Sequence, residues 1–327
     1  MTYSRRLMNG GQCCRCTVHR MESLLKKELG TTKLKQFGGC GGGCISRGNG
    51  YDTDQGKIFA KFNSESGARV MFDGEFAGLE TISATQTVRV PKPIKVFDDP
   101  SGGAVLVMEY LDIRGLNKYN ADLGEKLARL HLHNAEMKKK AEGQASSVHK
   151  DDVQYVDKFG FHTATCCGYI PQDNSWQDNW VTFFTKQKLQ QQVDLILQKS
   201  GDRDVKECWP KLVRKIPEYF KGIENEIVPA LLHGDLWGGN AAETDEGPVI
   251  FDCAAFYGHS EFELGIATMF GGFGRDFFDS YHQMIPVAPG QRERVKLYQL
   301  FHYLNHWNHF GSGYKGSSMS IMKELSK

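Results

Sequence analysis

The segment LLHGDLWGGNAAETDEGPVIFD, residues 231–252, carries the residues best suited to chemistry. Asp235 is followed five positions later by Asn240 and twelve positions after that by Asp252. Phosphoryl transfer needs a carboxylate to orient and deprotonate an attacking hydroxyl, and further oxygen ligands to hold magnesium on the nucleotide phosphates. The spacing assigns Asp235 as the catalytic base and Asn240 and Asp252 as Mg2+ ligands. A turn at Asp245–Gly247 would fold the intervening residues into a hairpin and return Asp252 to the side of Asn240. Taken alone, HGD is an ordinary turn and VIFD an ordinary strand. The upstream order of features discriminates.

That upstream order begins with Gly38–Gly43. Glycines leave room for backbone N–H groups to approach phosphates, so Gly41, Gly42, Gly43 and Cys44 are assigned to ATP. The run lacks a GKS/T ending and leads into a hairpin, a strand lysine and a helix, the context of a kinase flap. Lys61, inside IFAKF, should reach the nucleotide phosphates. Glu75, in MFDGEF, should pair with that lysine, with Glu65 and Glu80 as lesser candidates. Glu109, Tyr110 and Leu111 end an apolar strand where backbone groups would face adenine. Cys44 is also a redox candidate: nearby amides and cations favour a thiolate, and its oxidation would obstruct ATP. A buried, inert thiol is the alternative.

These residues need elements to position them. MESLLKKEL, from Met21, has one apolar helical side and should begin the globular structure, leaving residues 1–20 as a disordered leader. Two hairpins come next in the chain, the second turning at Asp54–Gly56 and ending in KIFAKF. Residues 66–83 carry apolar residues at helical spacing. VPKPIKVF reads as extended and GGAVLVMEYL as a buried strand, while ADLGEKLARLHLHN turns helical. Residues 138–150 read as a polar loop and WQDNWVTFFTKQKLQQQVDLILQ as one long helix. The pattern predicts an N-lobe over 21–111 and a larger helical C-lobe over 112–327, in a two-lobed α+β fold like that of protein kinases.

Lys plus Arg (40) nearly balances Asp plus Glu (39) over 327 residues, which points away from nucleic acid or a membrane surface and toward a small polar substrate. No apolar run reaches the roughly 20 residues of a spanning helix. The nine cysteines lack the spacing of a disulfide framework or of common zinc sites, so reduced thiols in the cytosol are the simplest account. The basic, acid-free leader offers mitochondrial targeting as the lesser alternative.

The quoted motifs, together with KFGFHTATCCGYIPQ, FYGHSEFEL and YLNHWNHFGSGY, resemble the fructosamine-3-kinase and ketosamine-3-kinase family from Met21 to Lys327. The resemblance implies the aminoglycoside phosphotransferase type of kinase fold. It also implies ATP- and Mg2+-dependent phosphorylation of the C3 hydroxyl of ketosamines, on glycated proteins or small molecules, followed by spontaneous deglycation. The family's base falls on Asp235, its metal ligands on Asn240 and Asp252, and its ATP-anchoring lysine on Lys61. Where the family commonly reads FDPASFYGH, this chain reads FDCAAFYGH, with Cys253 and Ala255. Trp237 and His306 are the candidates for contact with the sugar-amine, since aromatic faces pack on sugars and attract amines; the competing reading places both in the lobe core. A monomer or a redox-sensitive homodimer is expected. Two other functions share these residues: an aminoglycoside or choline kinase, and a nucleotide-binding protein without turnover. Preference among fructosamine, ribulosamine and psicosamine stays open.

Overall fold

A computed structural model describes residues 13–42, 46–144 and 154–327. Helix α1 (Cys13–Leu29) leads into strands β1 (Leu34–Gly42), β2 (Arg47–Thr53) and β3 (Gly56–Asn63), then helix α2 (Ala68–Ala84), and strands β4 (Pro93–Asp98) and β5 (Ala104–Glu109). The five strands form one antiparallel sheet in the order β1-β2-β3-β5-β4. Strand alternation divides its side chains between two faces. Tyr51, Ile58, Ala60, Val105 and Val107 pack with Leu25 of α1, whereas Leu106 and Met108 join Phe72, Leu79 and Ile82 of α2 in the main core. Lys61, next to Ala60, therefore points to the α2 side. Helix α1 begins earlier than the expected Met21, because the helix continues back to Cys13. Its Arg20 guanidinium binds Asp99 at 3.0 Å, and also Ser101. Residues 1–12 of the expected leader lie outside the described residues.

The chain leaves the sheet at Glu109 and enters β6 (Arg114–Gly115), which pairs with a strand of the helical lobe. Helix α3 (Asn120–Gln144) comes next, then strands β7 (Cys166–Cys167) and β8 (Ile170–Pro171), helix α4 (Trp180–Phe183), a π-helical turn (Phe184–Leu189), and helices α5 (Gln190–Ser200) and α6 (Arg203–Lys215). Beyond these lie β9 (Ala230–Leu232), β10 (Ala241–Glu243), β11 (Pro248–Ile250) and β12 (Phe256–Gly258). Helices α7 (Glu261–Ala267), α8 (Arg275–Met284), α9 (Gln291–Phe310) and α10 (Lys315–Leu325) complete the described elements.

Two sequence expectations are corrected here. Lys138–Gln144 is helix rather than loop, since it is rich in strong helix formers and places Glu142 four residues from Lys138; residues 145–153 lie outside the described residues. The long helix starts at Trp180, not Trp176, because the Asn179 side chain caps it by accepting the Thr182 N–H at 2.9 Å.

Strand β6 pairs with β10, placing Gly115 opposite Ala242. The Arg114 guanidinium reaches Glu243 at 3.1 Å, and the other Glu243 oxygen accepts the backbone N–H groups of Asn117, Lys118 and Tyr119 at 2.8–3.2 Å. The connection between the lobes is thus fastened to the strand next to Asn240. Among the described residues no helix is long and apolar enough to cross a membrane.

Candidate active site

Strands β10 and β11 form the hairpin expected from the Asp245–Gly247 turn, with Ala241 opposite Ile250. The Phe251 N–H donates to the Asn240 carbonyl at 3.1 Å, so Asn240 and Asp252 stand side by side. Asp252 has a φ of +59°, a left-handed conformation that Asp tolerates better than most residues. Gly234 has a φ of +83°, and a Cβ there would run into the Ala254 carbonyl; only glycine fits between His233 and Asp235. The backbone N–H groups of His233 and Gly234 donate to the buried Glu263 carboxylate at 2.6 and 3.0 Å. His233 Nε2 donates to the Phe251 carbonyl at 2.8 Å, which leaves Nδ1 to accept the Asp235 N–H at 3.3 Å. The loop carrying Asp235 is therefore held from both sides. The Glu263 anchor was not anticipated, although its residue lies inside the quoted FYGHSEFEL motif.

Asn240 Nδ2 donates to the Asp235 carbonyl at 2.9 Å and to its carboxylate at 3.3 Å. The amide nitrogen being committed, the Asn240 carbonyl oxygen is the atom available to a cation. Burial, reinforced by the nearby Asp252 and Glu263 carboxylates, holds Asp235 well above the usual carboxylate range, against the pull of Asn240. An oxygen donor set with surplus negative charge suits a hard divalent cation such as Mg2+.

Lys61 Nζ donates to both Glu75 oxygens at 2.9 and 2.8 Å, and to Asp252 Oδ1 at 2.8 Å. Burial opposes the Lys61 charge, but the carboxylates of Asp252 and Glu75 more than offset it, and the ammonium is held above its ordinary value. Burial lifts Glu75 while Lys61 pulls it the other way. The expected lysine–glutamate pair is present; Glu65 and Glu80 are exposed and take no part in it. Helix α2 carries Glu75 this close because two of its residues lack side chains. A Cβ on Gly74 would stand 2.8 Å from Thr165 Cα and nearer still to the Ala164 carbonyl oxygen, and one on Gly78 would stand 2.7 Å from Cys253 Sγ. Cys253 fills the space beneath α2, its thiol directed at the Glu75 carbonyl at 3.8 Å.

A cleft of about 470 Å³ joins these groups; Lys61, Glu75, Asp235, Asn240 and Asp252 all line it, with Trp237 and His306. One wall is aromatic. Trp237 meets Phe270 edge-on at 5.9 Å, Phe270 lies 5.1 Å from the His306 ring, and His306 lies 5.1 Å from Tyr314. Trp237 is 38% exposed, so it is no core residue. His306 Nδ1 donates to the His302 carbonyl at 2.7 Å, making Nε2 an acceptor, and burial lowers its pKa so that the ring stays neutral. Phe270, Tyr314, Cys167 and Ser46 also line the cleft and were not singled out, because nothing in their spacing separates them from core or loop residues.

Other predicted residues stand apart. Gly41 and Gly42 close β1 opposite Gly48 and Arg47, while Gly43 and Cys44, including the redox reading of Cys44, lie outside the described residues. Glu109, Tyr110 and Leu111 are at the strand end and do not line the cleft; the Glu109 carboxylate accepts the Lys92 N–H at 3.1 Å, and the Tyr110 ring meets Phe37 edge-on at 4.8 Å. Behind the cleft, Lys188 is fully buried in the π-helical turn, donating to Gln172 and Asn174 at 3.0 and 2.7 Å, with no carboxylate among the described residues in hydrogen-bond contact. Both partners bind Thr165, next to the point where α2 docks.

Residues 17–327 match the family model described as fructosamine kinase. The chain is 57% identical over 311 residues to ketosamine-3-kinase of Mus musculus, covering 94% of this chain and 100% of that protein. It is 37% identical over 294 residues to the chloroplastic protein-ribulosamine 3-kinase of Arabidopsis thaliana, covering 90% of this chain and 83% of that one. Among solved structures, a putative fructosamine-3-kinase from Haemophilus somnus superposes with a TM-score of 0.74 at 21% identity, covering 93% of this chain and 96% of that one. The aminoglycoside phosphotransferase APH(4)-Ia gives 0.56 at 14%, covering 94% and 98%. These two likenesses establish the shared two-lobed fold.

Proposed function

This chain belongs to the fructosamine kinase family, and from that premise we propose that it is an ATP-dependent protein-ketosamine 3-kinase acting on glycated lysines. The observation that carries the reading is the convergence of Asp235, Asn240, Asp252, Lys61 and Glu75 on one cleft with an aromatic wall. Asp235 orients the acceptor hydroxyl and takes its proton as the oxygen bonds to the γ-phosphorus and the bond to the β-phosphate oxygen breaks, releasing ADP. Lys61, fixed by Glu75, binds the nucleotide phosphates. Asn240 and Asp252 would hold Mg2+, which when bound offsets phosphate charge. Trp237 and the neutral His306 bind the sugar-amine. Gly41 and Gly42, which close β1, would approach the phosphates with their backbone N–H groups, and adenine would lie beyond the described cleft, toward the backbone of 109–111 at the end of β5.

A phosphate on C3, beside the C2 carbonyl, makes the sugar labile to elimination, so the product frees its amine; the role is protein repair. The free thiols of Cys166, Cys167, Cys208 and Cys253 suit a reducing compartment, and the cytosol is the location proposed. Purified protein with ATP and Mg2+ should phosphorylate fructosyl-, ribulosyl- or psicosyl-lysine, detected by mass. Turnover of choline or an aminoglycoside with none of any ketosamine would overturn the assignment.

A further inference from the structure

Three side chains from distant parts of the chain meet at the cleft floor. Cys167 Sγ from β7, a carboxylate oxygen of Asp235 and a ring nitrogen of His302 from α9 all lie within 4.8 Å of one another. His302 is the unexpected member. It is fully buried, and neither of its ring nitrogens has a hydrogen-bond partner among the described residues. Leaving a buried polar atom unmet forfeits the hydration that atom had in the unfolded chain, and native proteins do so rarely. The Phe262 and Phe301 rings pack against it at 5.2 and 5.0 Å and offer nothing polar. His306, one turn along the same helix, meets its hydrogen bond through the His302 carbonyl and so does not relieve the ring.

We propose that Cys167, Asp235 and His302 form a Zn2+ site that, when filled, ties up the catalytic carboxylate and stops phosphoryl transfer. For three atoms with mutual distances of at most 4.8 Å, one point lies no more than about 2.8 Å from all three; inward shifts of about 0.5 Å for the sulfur and up to about 0.8 Å for the nitrogen and oxygen then reach ordinary zinc–ligand lengths. A thiolate, an imidazole and a carboxylate select a borderline-soft ion such as Zn2+, whereas Mg2+ prefers the all-oxygen donors of Asn240 and Asp252. The two sites share no ligand atom. Cys167 and Asp235 line the cleft, so the ion has a route in, and water can take the fourth position. Zinc should therefore exclude the acceptor hydroxyl and leave nucleotide binding in place.

The shut-off rests on Asp235 being the base; the binding itself does not, and the two are measured separately. The full chain is prepared with Cys13, Cys14 and Cys16 changed to Ser, which removes a competing thiol cluster. Zinc sulfate is titrated against a chromophoric chelator. One Zn2+ per chain is expected, weakened at least about 10-fold by Cys167→Ser and by His302→Gln. Co2+ should give a thiolate charge-transfer band that Cys167→Ser abolishes; this variant carries the test alone if thermal melting shows His302→Gln to be unfolded. Ketosamine phosphorylation should fall to background at one equivalent of zinc and return on chelation, with ATP titration unchanged. Equal zinc affinity in the parent and Cys167→Ser, or no binding at micromolar zinc, would overturn the site. Stoichiometric zinc with undiminished phosphorylation would overturn the shut-off.

Discussion

Gly74→Ala tests how strictly the position of α2 controls the cleft. The added Cβ would stand 2.8 Å from Thr165 Cα, whereas carbon–carbon contacts are comfortable only from about 3.5 Å. Both obstacles, Thr165 Cα and the Ala164 carbonyl, are backbone atoms that no rotamer change can move. Helix and loop must part by about 0.7 Å or more, and Glu75, the next residue, moves with the helix. Its contacts to Lys61, now 2.8 and 2.9 Å, would stretch beyond hydrogen-bond range at about 3.5 Å. Helix propensity favours alanine by about 1 kcal/mol, while overpacking costs about 1–3 kcal/mol, so the net stability loss should be only about 0–2 kcal/mol. Activity should suffer more, because a misplacement near 1 Å can cost about 100-fold. Steady-state phosphorylation of a glycated lysine beside thermal melting separates the two effects. Gly143→Ala, on α3 with nothing among the described residues within 4 Å of its added Cβ, serves as control and should keep full activity. If Gly74→Ala also retains wild-type kcat/KM, the idea that close docking of α2 fixes Lys61 through Glu75 is wrong.

Asp235→Asn should lower kcat by about 10²–10⁴-fold, the usual contribution of a positioned base, with nucleotide titration unchanged; full turnover would remove Asp235 from the mechanism. Its raised pKa also carries a sign: above the unfolded carboxylate pKa the folded state is penalised, so the Asn variant should melt higher near neutrality and lose that advantage as pH falls into the ordinary carboxylate range. Burial lowers Lys188 from 10.5 to about 7. The unfolded chain binds the extra proton between those values, so stability should rise with pH across that window by up to about 1.4 kcal/mol per unit, and a denaturant series that finds the same slope in Lys188→Met would refute the assignment. Trp237→Ala and His306→Ala should raise the ketosamine KM about 5- to 30-fold, as loss of a stacked ring worth about 1–2 kcal/mol implies, while the KM for ATP holds; unchanged ketosamine KM in folded variants would return both rings to a structural role.

The residues that converge on the cleft through regular elements were legible. Lys61 and Glu75 could be read because a period-2 strand and a 3.6-period helix fix where their side chains point, and Asp252 because a DEG turn sets the hairpin that returns it to Asn240. Glu263 and His302 were not legible: both are polar residues inside apolar helical stretches, and only the packing of α7 and α9 against the catalytic loop gives them neighbours. Glycines 74 and 78 carried no local signal either, since a helix interior disfavours glycine and the benefit lies in the approaching backbone. The helix overrun at Lys138–Gln144 shows a polar composition being misread as loop, where strong helix formers outweighed the missing apolar face.

The fastening of β6 to β10 makes the inter-lobe crossing a splint. A tether of adjustable slack would let the two lobes separate without disturbing either. Here the crossing shares backbone hydrogen bonds with the strand that begins one residue after Asn240, and Glu243 clasps three consecutive amides where the crossing turns into α3. Rotation of one lobe against the other must therefore bend that joint or carry the β10–β11 hairpin with it. Chain length between Leu111 and Asn117 becomes a fixed dimension of the machine: a residue added or removed there shifts the register at Ala242 and, two positions along, the setting of Asn240 beside Asp252.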